Sequence, residues 1–120
     1  RRKQNPMRDV AGMVRSFDYA RAASLKTLQG ILPAAGESTA NDAQIALLAD
    51  WHDRSRAAFL DGYRSVVSGQ GLYADLSSFE SGLRLFLLEK VIYELRYEIS
   101  HRPEWLVIPL RGLLDVLREK

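Results

Sequence analysis

The chain has 120 residues, 47% hydrophobic and 27% charged, which is enough for one domain with its own core and too apolar for a disordered tail. It contains no cysteine, which excludes disulfides and thiolate chemistry, and no apolar run approaches the ~20 residues of a membrane span. The net charge of +2 is uneven: Arg1, Arg2, Lys3 and Arg8 stand in the first eight residues without an acid, leaving 13 basic and 15 acidic groups in the rest. The basic balance therefore belongs to the first eight residues, of which 1–6 read as a basic leader, and argues against a nucleic-acid partner. No signal peptide opens the chain, and an initial arginine in place of methionine predicts a piece of something longer.

Strand signals are poor and helical periodicity is strong. The first helix is expected over 7–28, with Asn5 as cap and Pro6 in the first turn. Its apolar face reads Val10, Met13, Val14, Phe17 and Ala20, and Gly30 and Pro33 close it. Residues 30–41 are rich in Gly, Pro, Ser, Thr and Ala and read as a loop. The second helix is expected over 42–68, with Ile45, Leu48, Trp51, Ser55, Ala58, Phe59, Gly62 and Val66 as its buried stripe. The small residues Ser55, Ala58 and Gly62 would admit another helix at close range. A short connection over 70–75 leads to a third helix over 77–100, capped by Ser77 or Ser78. Pro103 follows its end, Val107 and Ile108 read as extended before Pro109, and a last helix occupies 110–118. The expected fold is all-α: three long helices and a short C-terminal one in a single helical subdomain spanning 1–120.

The third helix has two unlike faces. At 100° per residue, Leu85, Leu88, Val91, Ile92, Leu95 and Ile99 share one arc and read as core. Lys90, Tyr93, Glu94, Tyr97, Glu98 and His101 share the opposite one, preceded by Leu83, Phe86 and Leu87. Tyr93 and Tyr97 lie one turn apart with Glu94 and Glu98 beside them. Flat rings next to acceptor carboxylates suit a sugar, because rings pack on the C–H face of a pyranose and carboxylates take hydroxyl protons. The same spacing also suits tyrosines packed on a neighbouring helix, with the acids solvated or paired to Lys90, Arg96 and His101.

Other chemistry finds no support. His52 and His101 are far apart and in no metal-ligand spacing. Gly69-Gln70-Gly71 lacks the strand and the lysine of a phosphate cradle, and no nucleophile elbow is present. In His101-Arg102-Pro103, proline stands where a kinase catalytic loop has its aspartate.

Four ordered stretches are similar to a known family: Arg8-Asp9-Val10-Ala11-Gly12-Met13-Val14-Arg15-Ser16-Phe17-Asp18-Tyr19-Ala20; Phe59-Leu60-Asp61-Gly62-Tyr63 after Trp51; Leu87-Leu88-Glu89-Lys90-Val91-Ile92-Tyr93-Glu94-Leu95-Arg96-Tyr97-Glu98; and His101-Arg102-Pro103-Glu104-Trp105 before Ile108-Pro109-Leu110. Their order and spacing resemble the C-terminal end of bacterial maltokinases, often fused behind trehalose synthase. That resemblance implies the helical part of a kinase-like C-lobe, related to aminoglycoside phosphotransferases, in a cytoplasmic enzyme that transfers the ATP γ-phosphoryl group to maltose with Mg²⁺. The Gly-rich loop, the ATP-binding lysine and the catalytic and metal-binding aspartates would all lie upstream of Arg1. The chain is therefore expected to hold no catalytic residue, no metal and no cofactor of its own, with ATP and Mg²⁺ in the parent enzyme. By the same resemblance Asp9 supports the catalytic loop. Tyr93, Glu94 and Tyr97 line the maltose site, and Arg96 is a weaker candidate on its flank. Trp51, Phe59 and Tyr63 are expected in the core, and Trp105 as a staple. The implied partners are the N-lobe and catalytic loop of the kinase and maltose, with no nucleic acid and no membrane. A lobe cut from its enzyme would also associate through exposed apolar surface. A stand-alone helical module that binds a partner protein is the rival expectation.

Overall fold

The structure, a computed structural model, describes residues 6–31, 42–68 and 76–118. Four helices follow one another: α1 (Pro6–Ile31), α2 (Asp42–Ser68), α3 (Leu76–His101) and α4 (Val107–Arg118), with a 3-10 turn over Pro103–Trp105 before the last. The expected all-α architecture is the one observed. No described helix is long and apolar enough to cross a membrane. Residues 1–5 of the expected leader, with the Asn5 cap, residues 32–41 of the loop expected over 30–41, and the connection expected over 70–75 lie outside the described residues.

Several boundaries move. Helix α1 passes through Gly30 to Ile31, and α3 starts at Leu76, so Ser77 and Ser78 sit in its first turn rather than capping it. Residues Val107 and Ile108 are helical, not extended. Proline disfavours helix in the residue before it, but Pro109 falls in the first turn of α4, where its missing N–H costs little. The 3-10 turn carries the chain into that helix: the Leu106 N–H donates to the Pro103 carbonyl at 3.1 Å, and Leu110 N–H to the Leu106 carbonyl at 3.1 Å.

Helix α1 is the hub, packing on α2, α3 and α4, while α2 and α4 do not pack on each other. The core joins Met7, Val10, Ala11 and Val14 of α1 with Leu60 and Val67 of α2, Phe79, Leu83 and Leu87 of α3, and Val116 of α4. The buried face of α1 is thus turned from the expected one. Met13 and Ala20 are exposed, while Ala11 and Arg15 are buried. On α2 the buried stripe is displaced likewise to His52, Leu60 and Val67, leaving Ile45, Trp51, Ala58, Gly62 and Val66 exposed. Phe59 and Tyr63 do pack against the core. Trp51, expected there, is exposed and meets Phe17 edge-on at 6.2 Å between centroids. Among the described residues, nothing stands within 4 Å of a Cβ added at Gly62.

The largest change is on α3. Its buried line runs Phe79, Leu83, Leu87, Val91, Glu94 and Glu98. Of the face expected as core, Val91 is buried and Leu88 and Leu95 are half-buried, but Leu85, Ile92 and Ile99 are 63%, 46% and 61% exposed. The two glutamates turn inward because arginines meet them there, which periodicity alone does not reveal.

Gly112 of α4 fits against the Arg15 guanidinium: a Cβ there would stand 2.5 Å from Nη1 and 2.8 Å from Cζ. Gly112→Ala is expected to lose about 1–3 kcal/mol in urea unfolding, because Arg15 is pinned and cannot retreat. Gly62→Ala, in open space within a helix, should instead gain about 0.5–1 kcal/mol.

Candidate functional site

An open groove of about 460 Å³ runs between α1 and α3. Gly12, Arg15, Ser16 and Tyr19 form one side, and Lys90, Tyr93, Glu94, Tyr97 and Glu98 the other, with Arg102 from the segment after α3.

The floor is ionic. Arg15 is buried and donates from Nε to both Glu94 oxygens, at 3.0 Å and 3.2 Å. Its Nη2 lies 2.8 Å from Glu94 Oε1, in ion-pair contact but off the hydrogen-bond direction. Its Nη1 donates to Asp18, one turn on, and Asp18 also holds Nε2 of the buried His52. The His52 Nδ1 lies 3.0 Å from Asp53 Oδ1. A second cluster sits one turn further along α3. Glu98 accepts from the Tyr19 hydroxyl at 2.7 Å, and from Nε and Nη2 of Arg102 at 2.9 Å each.

Burial and pairing act differently on the two acids. Burial pushes the Glu94 carboxyl above its usual range, against the pull of Arg15. Hydrogen bonds from Arg102 hold Glu98 below its usual range, opposed by burial and helped by Tyr19. Burial and the hydrogen bond to Glu98 raise the Tyr19 phenol, so it stays a donor. Burial works against the Arg15 cation, but Glu94 and Asp18 outweigh it and raise its pKa.

The rim is aromatic. Tyr93 and Tyr97 lie with centroids 6.5 Å apart and planes 21° off parallel. The His101 ring continues the row at 4.3 Å from Tyr97, with its Nδ1 2.9 Å from the Tyr97 carbonyl. Lys90 Nζ stands 5.1 Å from the Tyr93 centroid and Arg102 Cζ 5.8 Å from that of Tyr97. Trp105 stacks on Tyr19 at 6.1 Å, with Arg102 Cζ 4.4 Å from its centroid, so it staples the segment after α3 to α1.

The structure therefore brings Tyr93, Glu94 and Tyr97 together at one groove. The tyrosines are 60% and 42% exposed, while Glu94 and Glu98 are only 7% and 1% exposed. The acids are paired, but with Arg15 and Arg102 rather than with Lys90, Arg96 and His101. Arg96 is exposed and outside the groove lining. Asp9 is exposed in the first turn of α1, where free N–H groups favour an acid. Arg15, Tyr19 and Arg102 were not singled out from the sequence. Their signal was present: Arg15 and Asp18 stand three residues apart beside the apolar seam of α1, as a charged pair needing partners. Among the described residues no three His, Cys, Asp or Glu side chains gather to hold a metal ion. Compared with models of known protein families, the sequence matches none.

A lowered carboxyl pKa in the fold gives stability that is full above the ordinary value of 4.5 and fades as pH falls below it. Glu98→Gln should accordingly be about 1–2 kcal/mol less stable than the parent chain at pH 7. That gap should narrow below pH 4.5 in urea titrations at stepped pH. A constant gap would mean that charge on Glu98 contributes nothing.

Proposed function

We propose that this chain is the C-terminal helical subdomain of a maltokinase, within a trehalose synthase/maltokinase protein of the bacterial cytoplasm. The reaction of that enzyme converts ATP and maltose to maltose 1-phosphate. The observation that carries the reading is the groove itself: two exposed, near-parallel tyrosines above a floor of carboxylates held by arginines. A pyranose laid on Tyr93 and Tyr97 would present its hydroxyls to Lys90, Ser16 and the lone pairs left on Glu94 and Glu98. Because Arg15 and Arg102 already fix both carboxylates, the acceptor meets a pre-formed surface.

The role of this chain is to bind and orient the acceptor. Asp9, on the first turn of α1, is the residue suited to support a catalytic loop from the rest of the enzyme. Among the described residues no three His, Cys, Asp or Glu side chains gather, and no step of the transfer is assigned to this chain. ATP and Mg²⁺ would be held by the N-lobe and catalytic loop.

A second reading rests on a different observation. Leu85, Ile92 and Ile99 repeat every seven residues on the exposed face of α3, and Val107, Leu110, Leu114 and Leu117 form an exposed stripe on α4. Such stripes suit packing against more polypeptide, either the rest of a kinase or the partner of a stand-alone helical module.

The gene upstream of Arg1 separates the two. A reading frame with an ATP lobe and a catalytic loop is expected, and a start codon directly before Arg1 would overturn the kinase reading. In the full enzyme, Tyr93→Ala and Tyr97→Ala should each raise the maltose KM at least tenfold, with the ATP KM unchanged. An unaltered maltose dependence would remove both tyrosines from the site.

A further inference from the structure

A second, larger cavity of about 500 Å³ lies between α1, α2 and the start of α4 and shares no lining residue with the groove. It exists because α2 and α4 both pack on α1 without meeting each other. Leu25, Ile45, Leu48, Ile108 and the Trp105 ring supply apolar wall. Ile45 and Val107, both exposed, also line it, so apolar surface meets solvent there.

The charges in the wall are unbalanced. Arg21, Lys26 and Arg111 line the cavity with two acids, Asp18 and Glu104. Asp18 is already engaged by Arg15 and His52. Lys26 Nζ stands 5.2 Å from the Trp105 centroid, held over the ring. Arg21 and Arg111 have no carboxylate partner among the described residues. The first turn of α4, with Val107 and Ile108, also brings the positive end of a 12-residue helix to the same wall. Trp105 stacks on Tyr19 and lies beneath the Arg102 guanidinium, so its ring already stands in that wall. A cavity of this size, lined mostly by apolar residues with a few charged ones among them, has the make-up of a small-molecule site.

We infer that this cavity binds an amphipathic anion: an apolar ring system against Leu25, Ile45, Leu48 and Ile108, with a single carboxylate or phosphate on Arg21 and Arg111. Guanidinium groups suit either head group, since both accept paired N–H donors. The cavity and the groove share no lining residue, and the proposal stands whether or not the groove takes a sugar.

The test uses 2-naphthoate, 2-naphthyl phosphate and the neutral 2-naphthamide, each titrated into the 120-residue chain and followed by ¹H–¹⁵N NMR. The expected result is saturable binding of at least one anion, with shifts confined to α1, α2 and the start of α4, and at least tenfold weaker binding of the amide. Whichever anion binds tighter identifies the head group. Arg21→Gln with Arg111→Gln should weaken the anions at least tenfold and leave the amide unchanged. Leu48→Trp should abolish binding of all three by filling the cavity, and Tyr93→Ala should leave the affinities as they were. Far-UV circular dichroism checks that each variant keeps its helices, and the arginine pair alone decides the matter if Leu48→Trp does not fold. Equal affinity for amide and anions, shifts centred on Tyr93 and Tyr97, or no saturable binding at millimolar concentration would each overturn the proposal.

Discussion

One buried cation organises this molecule. Arg15 projects from the central helix and is met by Glu94 of α3, by Asp18 of its own helix and, through Asp18, by His52 of α2, while Gly112 of α4 leaves the space it fills. All four helices are thereby tied to a single guanidinium. A charge so placed is tolerated only when its partners are in place, because an uncompensated buried charge costs several kcal/mol. The network therefore selects one packing of the helices among those that apolar contact alone would allow.

That constraint also builds the groove. By drawing Glu94 inward, Arg15 sets the rotation of α3, and the rotation brings Tyr93 and Tyr97 to the rim. The Tyr19–Glu98–Arg102 cluster repeats the arrangement one turn later and hands it on to Trp105, which fastens the segment before α4. A row of rings over a paired polar floor is thus a by-product of how the ion pairs were satisfied. The same rotation has a second consequence, for it turns Leu85, Ile92 and Ile99 outward.

Much of the fold was legible in the sequence. Three long apolar-periodic segments gave the three long helices to within a few residues, because length and spacing are local properties. The groove face of α3 was legible in its tyrosines, whose one-turn spacing places them in one row whatever the core does. The facing of each helix was not. Glu94 and Glu98 read as polar and therefore outward, and Leu85, Ile92 and Ile99 as inward, because a pattern of apolar residues carries no record of partners 79 residues away. The start of α4 was misread for a related reason: the rule against helix before proline is local, and the 3-10 turn that carries the chain into Val107 is not encoded by Pro109 itself.

A double-mutant cycle on Arg15 and Glu94 tests the organising role of the pair most directly. Arg15→Met, Glu94→Gln and the combination would be compared by urea unfolding at pH 7. The account predicts that each single change costs about 3–5 kcal/mol, since it strands a buried partner. The double variant should then be better than the sum of the singles, by a coupling of about 1–3 kcal/mol. Additive losses would contradict it and would leave the arrangement of the helices to apolar packing alone.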